Sequence, residues 1–188
     1  MLYGLALVGG LSSRMKKDKA WLHYDGIPQY QRLQALLNGH CEKVLFSCRK
    51  EQCSLLPSNY ITVIDQYTNI GPMAGVLTAF KVYPKIKAFF VVACDLPYLN
   101  EGLVKQLISN RRENKTATCF VHPTKQQIEP LCCIYERTIL VSLLQAYENK
   151  QYSLKKVLEQ TNSQHLYSAR ANELKNVNTP KDYRNYSK

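Results

Sequence analysis

A glycine-rich stretch near the start of the chain has the composition of a loop that holds a polyphosphate. Residues 7–19 read LVGGLSSRMKKDK and follow an apolar segment. Gly9 and Gly10 let the backbone turn tightly and approach a ligand closely. The stretch also offers hydroxyl groups and positive charges to phosphate oxygens, at Ser12, Ser13, Arg14 and Lys19. It matches neither the GxxxxGK[ST] pattern nor GxGxxG, so an ordinary glycine turn with solvated basic residues is the alternative.

Asp95 is the candidate ligand for a magnesium ion. It ends the strongly apolar run AFFVVAC, which we expect to form the central strand of a sheet. Mg²⁺ commonly takes one or two carboxylates together with the phosphates of a substrate, and a strand end is a usual place for such a carboxylate. The alternative is that Asp95 caps a turn ahead of Pro97.

Asp65 is the candidate for recognition of a nucleotide base. It follows the short apolar run 61–64 and precedes a segment, NIGPMAG, whose glycines permit close approach at the start of a helix. A carboxylate can accept hydrogen bonds from N1–H and N2–H₂ of guanine, whereas the pairing edge of cytosine offers a single amine donor. A plain turn aspartate is the alternative.

The order of apolar runs predicts the elements that position these residues. Short apolar runs alternate with amphipathic segments, which indicates an α/β fold with a mostly parallel sheet flanked by helices. The expected strands are residues 2–8, 44–47, 61–64, 88–94, 116–122 and 131–135. The expected helices are residues 28–37, 72–82, 100–110, 138–149 and 153–160, with one more short turn or helix after residue 180. Ligands of such sheets bind at the carboxyl ends of strands, so we expect the glycine-rich loop, Asp65 and Asp95 to share one site.

Length and composition favour a single cytoplasmic domain over residues 1–188. The chain is 45% apolar but has no run near the roughly 20 residues of a membrane span. Its apolar start lacks the basic region of a signal peptide. The seven cysteines are odd in number and without CxxC spacing, which predicts free thiols in a reducing compartment and not a zinc site.

The net charge of +11 raises the question of a nucleic-acid partner. Basic residues are scattered along the chain, and the densest group lies in the glycine-rich loop, where it suits a compact polyphosphate equally well. We therefore do not expect nucleic acid to be the partner.

Five motifs, in order along nearly the whole chain, resemble those of the molybdenum cofactor guanylyltransferase family, the MobA-like nucleotidyltransferases. The pattern LAGGxSxRMGxDK corresponds to residues 7–19, GPLAG to 71–75 and CDxP to 94–97. PLxxxY corresponds to residues 130–135 and NxNTPxD to 176–182. Each motif is weak alone, but the five together are specific.

The resemblance implies a single-domain, Rossmann-like (GT-A-like) nucleotidyltransferase. It implies Mg²⁺-dependent transfer of GMP from GTP to the terminal phosphate of molybdenum-molybdopterin, with release of pyrophosphate. Nucleotide contacts are implied at Leu7, Val8, Gly9, Gly10, Ser12, Lys19, Ser47, Asp65 and Asp95. Catalytic roles fall to Arg14, Lys19 and Asp95, with Asp95 as the metal ligand. Asn176 and Asn178 would lie near the pterin substrate, and other proteins of cofactor biosynthesis or delivery are open as partners.

Three departures from the family pattern bear on specificity. Lys16 stands where the family has glycine, Val8 replaces an alanine and adds bulk beside the base, and Ser47 stands where a guanine contact can be asparagine. Two alternatives stay open: a sister enzyme that uses CTP or another phosphorylated acceptor, and a non-catalytic nucleotide- or RNA-binding protein.

Overall fold

The computed structural model describes residues 1–10, 15, 17–122, 126–167 and 171–186. Within that part of the chain, seven strands form one sheet and two short strands form a separate hairpin. The strands are β1 (Leu2–Leu7), β2 (His23–Tyr24), β3 (Ile27–Pro28), β4 (Val44–Cys48), β5 (Ile61–Ile64), β6 (Ala88–Ala93), β7 (Ala117–His122), β8 (Gln127–Glu136) and β9 (Gln164–Tyr167).

The order of strands in the sheet is β5-β4-β1-β6-β8-β7-β9, and β8 runs against the other six. In the parallel part of the sheet, Leu7 pairs with both Ser47 and Ala93, and Ser47 pairs with Val63. The carboxyl ends of four strands are therefore level. The residues two positions beyond this level are Gly9, Arg49, Asp65 and Asp95.

Helices cover both faces of the sheet. They are α1 (Gln29–Asn38), α2 (Lys50–Cys53), α3 (Met73–Val82), α4 (Glu101–Ser109), α5 (Leu140–Glu148), α6 (Leu154–Gln160) and α7 (Pro180–Tyr186). Side chains of α3, α5 and α6 form one core with one face of the sheet, and those of α1 and α4 form a second core with the other face. Alternate residues of β1 divide between these cores, with Leu5 in the first and Ala6 in the second.

Most of the predicted elements are confirmed, and so is the mostly parallel α/β sheet. Asn100 caps α4 through its side chain, which accepts from the backbone N–H of Leu103, and Ser153 caps α6 in the same way. The helix expected over 138–149 begins as a 3₁₀ turn at Arg137–Ile139 before α5.

Strands β8 and β9 and helix α2 differ from the sequence prediction, and the strands of the β2–β3 hairpin were not predicted. Strand β8 is twice the expected length because the pairing of β7 and β8 shifts between Cys119 and Phe120, and this bulge accommodates Pro130. The edge strand β9 was not predicted, since Leu166 is its one buried side chain. The four-residue helix α2 was also missed, being too short to show a helical period.

The described helices include none that combines the length and apolar character needed to cross a membrane. All seven cysteines are free thiols, as expected from their number and spacing.

Candidate active site

A cavity of about 530 Å³ lies at the level carboxyl ends of the parallel strands. It brings together seven residues that the sequence singled out: Leu7, Gly9, Gly10, Lys19, Ser47, Asp65 and Asp95. Gly71 and Gly75, from the loop and helix that follow Asp65, also line it. The fold therefore brings the described ends of the glycine-rich loop, residues 7–10 and Lys19, together with both aspartates.

Two glycines leave room for the polar side chains of this cavity. A Cβ atom on Gly9 would lie 2.8 Å from Oδ2 of Asp65. A Cβ atom on Gly75 would lie 2.2 Å from Oγ of Ser47 and 2.7 Å from the side chain of Leu7. A Cβ atom does not approach another heavy atom closer than 3.0 Å without displacing it, so glycine at each position is what lets Ser47 and Asp65 sit beside the backbone.

Ser47 and Asp65 form a hydrogen-bonded pair. The hydroxyl of Ser47 donates to Oδ1 of Asp65 over 2.6 Å, and the Asp65 backbone N–H donates to the carbonyl of Cys48. Burial raises the pKa of Asp65 to about 6, and the Ser47 hydrogen bond and the Arg49 guanidinium oppose that rise. At neutral pH the pair therefore presents an ionised carboxylate with one oxygen held in place by Ser47.

Lys19, Asp95 and Asn178 form a second polar cluster. Nζ of Lys19 donates to Oδ1 of Asn178 over 2.6 Å and lies 3.7 Å from Oδ2 of Asp95. The side chains of Lys19 and Asp95 are 14% and 17% exposed. The backbone N–H of Val177 donates to the Asp95 carbonyl over 2.8 Å, so the segment around Asn176 and Asn178 is fastened across the end of β6.

The carboxylate of Asp95 has the character of a metal ligand. Burial raises its pKa, and Lys19, followed by the amide of Asn176, offsets part of that rise. Its Oδ1 atom is buried and has no hydrogen-bond partner among the described residues. Within the same residues, no three His, Cys, Asp or Glu side chains cluster as metal ligands. One carboxylate with an unused oxygen suits a hard cation that takes its other ligands from phosphates and water.

Arg49 lines the cavity and was not predicted as a site residue. Its guanidinium donates to the Gly9 carbonyl and, over 2.7 Å, to Oε1 of Glu51. It also lies 3.5 Å from Oδ2 of Asp18. In the sequence Arg49 is one of many scattered basic residues, and only the level ends of β1 and β4 place it beside the loop.

The remaining predicted residues have three outcomes. The side chain of Val8 is fully buried in the core shared with α1, so its extra bulk meets the core and not the cavity; a contact between Val8 and a nucleotide stays a prediction. Ser12, Arg14 and Lys16 lie outside the described residues. Asn178 bonds Lys19, and Asn176 lies beside Asp95, although neither residue lines the cavity described above.

Comparison with known proteins agrees with this geometry. Residues 4–166 match the model of the MobA-like NTP transferase domain. A molybdenum cofactor biosynthesis bifunctional protein from Synechocystis sp. is 36% identical over 183 residues, which are 97% of this chain and 52% of that relative, so the chain spans about half its length. A probable molybdenum cofactor guanylyltransferase from Thermococcus sibiricus is 27% identical over 84% of this chain and 80% of its own.

Solved structures share the fold. Molybdopterin-guanine dinucleotide biosynthesis protein A from Archaeoglobus fulgidus superimposes with a TM-score of 0.80 at 21% identity, covering 98% of this chain and 96% of that one. Enzymes of this class typically need a divalent metal. Because the family model matches residues 4–166, most of the chain, the chain belongs to the family of MobA-like NTP transferase domains.

Proposed function

We propose that this protein transfers GMP from GTP to the terminal phosphate of molybdenum-molybdopterin, releasing pyrophosphate. The observation that carries the proposal is that one cavity holds both the Ser47–Asp65 pair and the Lys19–Asp95 pair. The first can recognise a base and the second can act on phosphates. Curated relatives named as molybdenum cofactor guanylyltransferases support the choice of substrates.

Guanine would be selected by Asp65. Its ionised carboxylate accepts from N1–H and N2–H₂ of guanine, and no other common base presents two adjacent donors on its pairing edge. Ser47 keeps the carboxylate aimed by occupying one lone pair of Oδ1. A buried carboxylate that loses its donors pays a desolvation cost, and this penalty discriminates against bases that cannot supply them.

The phosphates would be held by Lys19 together with the backbone of Gly9 and Gly10. Lys19 is a largely buried cation at the cavity wall, where a charge-assisted contact is stronger than at the surface. Arg14, from the part of the loop outside the described residues, is proposed as a second cation on the same phosphates.

Asp95 would hold Mg²⁺ through the oxygen that has no partner. When bound, the cation neutralises negative charge that develops on the phosphates. The position of Lys19, 3.7 Å from the same carboxylate, lets the protein's own cation share that task.

In the transfer, an oxygen of the acceptor's terminal phosphate forms a bond to the α-phosphorus of GTP, and the bond from that phosphorus to the pyrophosphate oxygen breaks. The attacking phosphate is already ionised at neutral pH, so no side chain has to remove a proton. Positioning and charge are then what the protein supplies. Asn176 and Asn178, which flank the Asp95–Lys19 pair, are proposed to orient the acceptor.

Residues 1–188 would form one nucleotidyltransferase domain that works in the cytoplasm on small-molecule substrates. Free thiols at all seven cysteines suit a reducing compartment. Other proteins of cofactor biosynthesis or delivery would supply the acceptor or take the product.

The test is turnover with a panel of nucleotides. Purified protein is incubated with molybdenum-molybdopterin, Mg²⁺ and α-labelled GTP, CTP, ATP or UTP, and both the dinucleotide product and pyrophosphate are measured. GTP should be the preferred donor and should also give the largest thermal stabilisation. Preference for CTP would make the protein a sister enzyme, and salt-sensitive RNA binding without turnover would make it a non-catalytic binder; either result overturns the proposal.

A further inference from the structure

Gln52 is a buried amide next to the active site that the proposed mechanism does not use. It lies in α2, just after β4, and is 1% exposed. A buried amide is costly unless its donors and acceptor are paired. Its Nε2 donates to the Val8 carbonyl over 3.0 Å and also to Oδ2 of Asp18, while its Oε1 accepts from the Arg49 backbone N–H over 2.9 Å.

The two acceptors of this amide stand at opposite ends of the glycine-rich loop. Val8 is the last residue before Gly9, and Asp18 is the residue before Lys19. The Asp18 side chain also accepts from the Ala20 N–H over 3.4 Å, which starts the 3₁₀ turn Lys19–Trp21. We propose that Gln52 is a positioning residue: its hydrogen bonds connect the first residues of the glycine-rich loop to the last ones and thereby position Lys19.

Arg49 reinforces the same connection from the cavity side. Its guanidinium bonds the Gly9 carbonyl and lies 3.5 Å from Asp18, but it is 28% exposed and shared with Glu51. Gln52 is screened from water and within hydrogen-bonding distance of Asp18, whereas the guanidinium is partly screened by solvent and divided between Asp18 and Glu51. The buried amide is therefore the main tie, and the guanidinium is the secondary one.

Loss of the tie should affect turnover more than nucleotide binding. Lys19 reaches Asn178 and Asp95 from the end of the loop, so release of Asp18 moves the cation that acts on the phosphates. The Ser47–Asp65 pair belongs to β4 and the end of β5 and keeps its place. A displacement of about 1 Å in a positioned group can cost on the order of 100-fold in rate.

The decisive variant is Gln52→Glu. It preserves size and the acceptor for the Arg49 N–H, but it replaces the donating amide with a carboxylate that faces Asp18 and the Val8 carbonyl. The kcat of GTP turnover should fall by about 10- to 100-fold, while the KM for GTP changes by less than about threefold. The double variant Gln52→Glu with Asp18→Asn exchanges the amide and the carboxylate, so that the amide at position 18 donates to the carboxylate at position 52. Its kcat should be at least about threefold higher than that of the single variant.

The pH dependence gives a readout that simple loss of packing would not move. The introduced carboxyl lies in a buried place beside Asp18, which favours its protonated form. A protonated carboxyl can donate again, so the ratio of Gln52→Glu activity to wild-type activity should rise as the pH falls.

The matched control is Gln29→Glu, a change at an equally buried glutamine of α1 that lines a different cavity. It should lower thermal stability and leave the kcat of the folded fraction within about twofold. Gln29 lies away from the active-site cavity, so a change there acts mainly on stability.

The inference rests on the proposed function only for its kinetic readout. If the wild-type protein does not turn over GTP, the proposed function fails, and Gln52 is then tested by amide hydrogen exchange of residues 20–22, whose N–H groups bond Asp18 and Lys19. That exchange should be faster in Gln52→Glu than in the wild type and slower again in the double variant. Wild-type kcat in folded Gln52→Glu, a double variant no better than the single, or unchanged exchange would each overturn the positioning role.

Discussion

The Ser47 hydroxyl donates a 2.6 Å hydrogen bond to Oδ1 of Asp65, across two strands that leave the sheet at the same level. Asp65 thereby keeps an aimed carboxylate in a place where burial raises its pKa to about 6. The arrangement suits the proposed recognition of guanine and lowers stability, because an ionised carboxylate is held where solvation is poor.

Replacement of Asp65 by asparagine should therefore stabilise the nucleotide-free protein. The native-state pKa of Asp65 lies above its ordinary value of 3.8, so the native state binds the extra proton between about pH 4 and 6, and stability falls as the pH rises through that window. Asp65→Asn removes this loss. Its melting temperature should exceed that of the wild type at pH 7.5, and the difference should shrink near pH 4.5. In the same variant the preference for GTP over CTP should collapse, as measured by KM for each nucleotide.

Removal of the Ser47 hydroxyl should shift the pH dependence of GTP binding. The hydrogen bond lowers the pKa of Asp65, so Ser47→Ala raises it further. The KM for GTP should climb as the pH falls through about 6 in the wild type. In Ser47→Ala the climb should begin at a higher pH. Coincident profiles for the two proteins would mean that Asp65 does not bind the base in its ionised form.

Asp95→Asn should preserve the fold and remove most of the activity. The amide has the size of the carboxylate, so the fold should persist. The melting temperature should change little, because relief of the buried carboxylate charge is offset by loss of the charge that faces Lys19. Pyrophosphate release should fall by orders of magnitude, since an amide is a weaker ligand for a divalent cation. Activity close to normal across a Mg²⁺ titration would exclude Asp95 as the principal metal ligand.

Lys19→Ala and Lys17→Ala form a matched pair that separates a specific charge from the general charge of the loop. Lys19 is largely buried against Asp95, whereas Lys17 is exposed. A charge-assisted contact of about 1.5–3 kcal/mol corresponds to roughly a 10- to 150-fold loss of kcat/KM for Lys19→Ala. Lys17→Ala should change kcat/KM by less than about twofold, because exposed charges are screened. Steady-state kinetics at fixed ionic strength would show equal losses if the loop acted only through its net charge.

A methyl group at Gly75 should destabilise the fold. The Cβ of Gly75→Ala would lie 2.2 Å from the Ser47 hydroxyl and 2.7 Å from Leu7, in the floor of the cavity. Such overpacking costs about 1–3 kcal/mol of unfolding free energy. Gly39→Ala is the control, since a Cβ there meets nothing within 4 Å and the backbone is helical. Urea denaturation of both variants should show a lower midpoint for Gly75→Ala alone.

Sequence patterns by themselves determined the class of fold and the family, and they predicted most of the candidate site. Buried strands such as β6 are recognisable as continuous apolar runs, and an aspartate that ends such a run must lie at the edge where parallel strands terminate. That rule is sufficient to bring Asp65, Asp95 and the start of the glycine-rich loop, Gly9 and Gly10, to one cavity. The five motifs identify the family to which the chain belongs.

Only the tertiary structure decided which side chains contact one another. The partnership of Lys19 with Asn178 spans 159 positions, and that of Gln52 with Asp18 spans 34, so no local period or spacing encodes either contact. Arg49 and Gln52 have the residue types of a solvated surface, yet the register of β4 against β1 places them beside the start of the glycine-rich loop. Val8 was predicted to add bulk beside the base, but its side chain lies in the core. Side chains alternate along β1 and the residue that follows it, so Val8 points into the core and Leu7 lines the cavity.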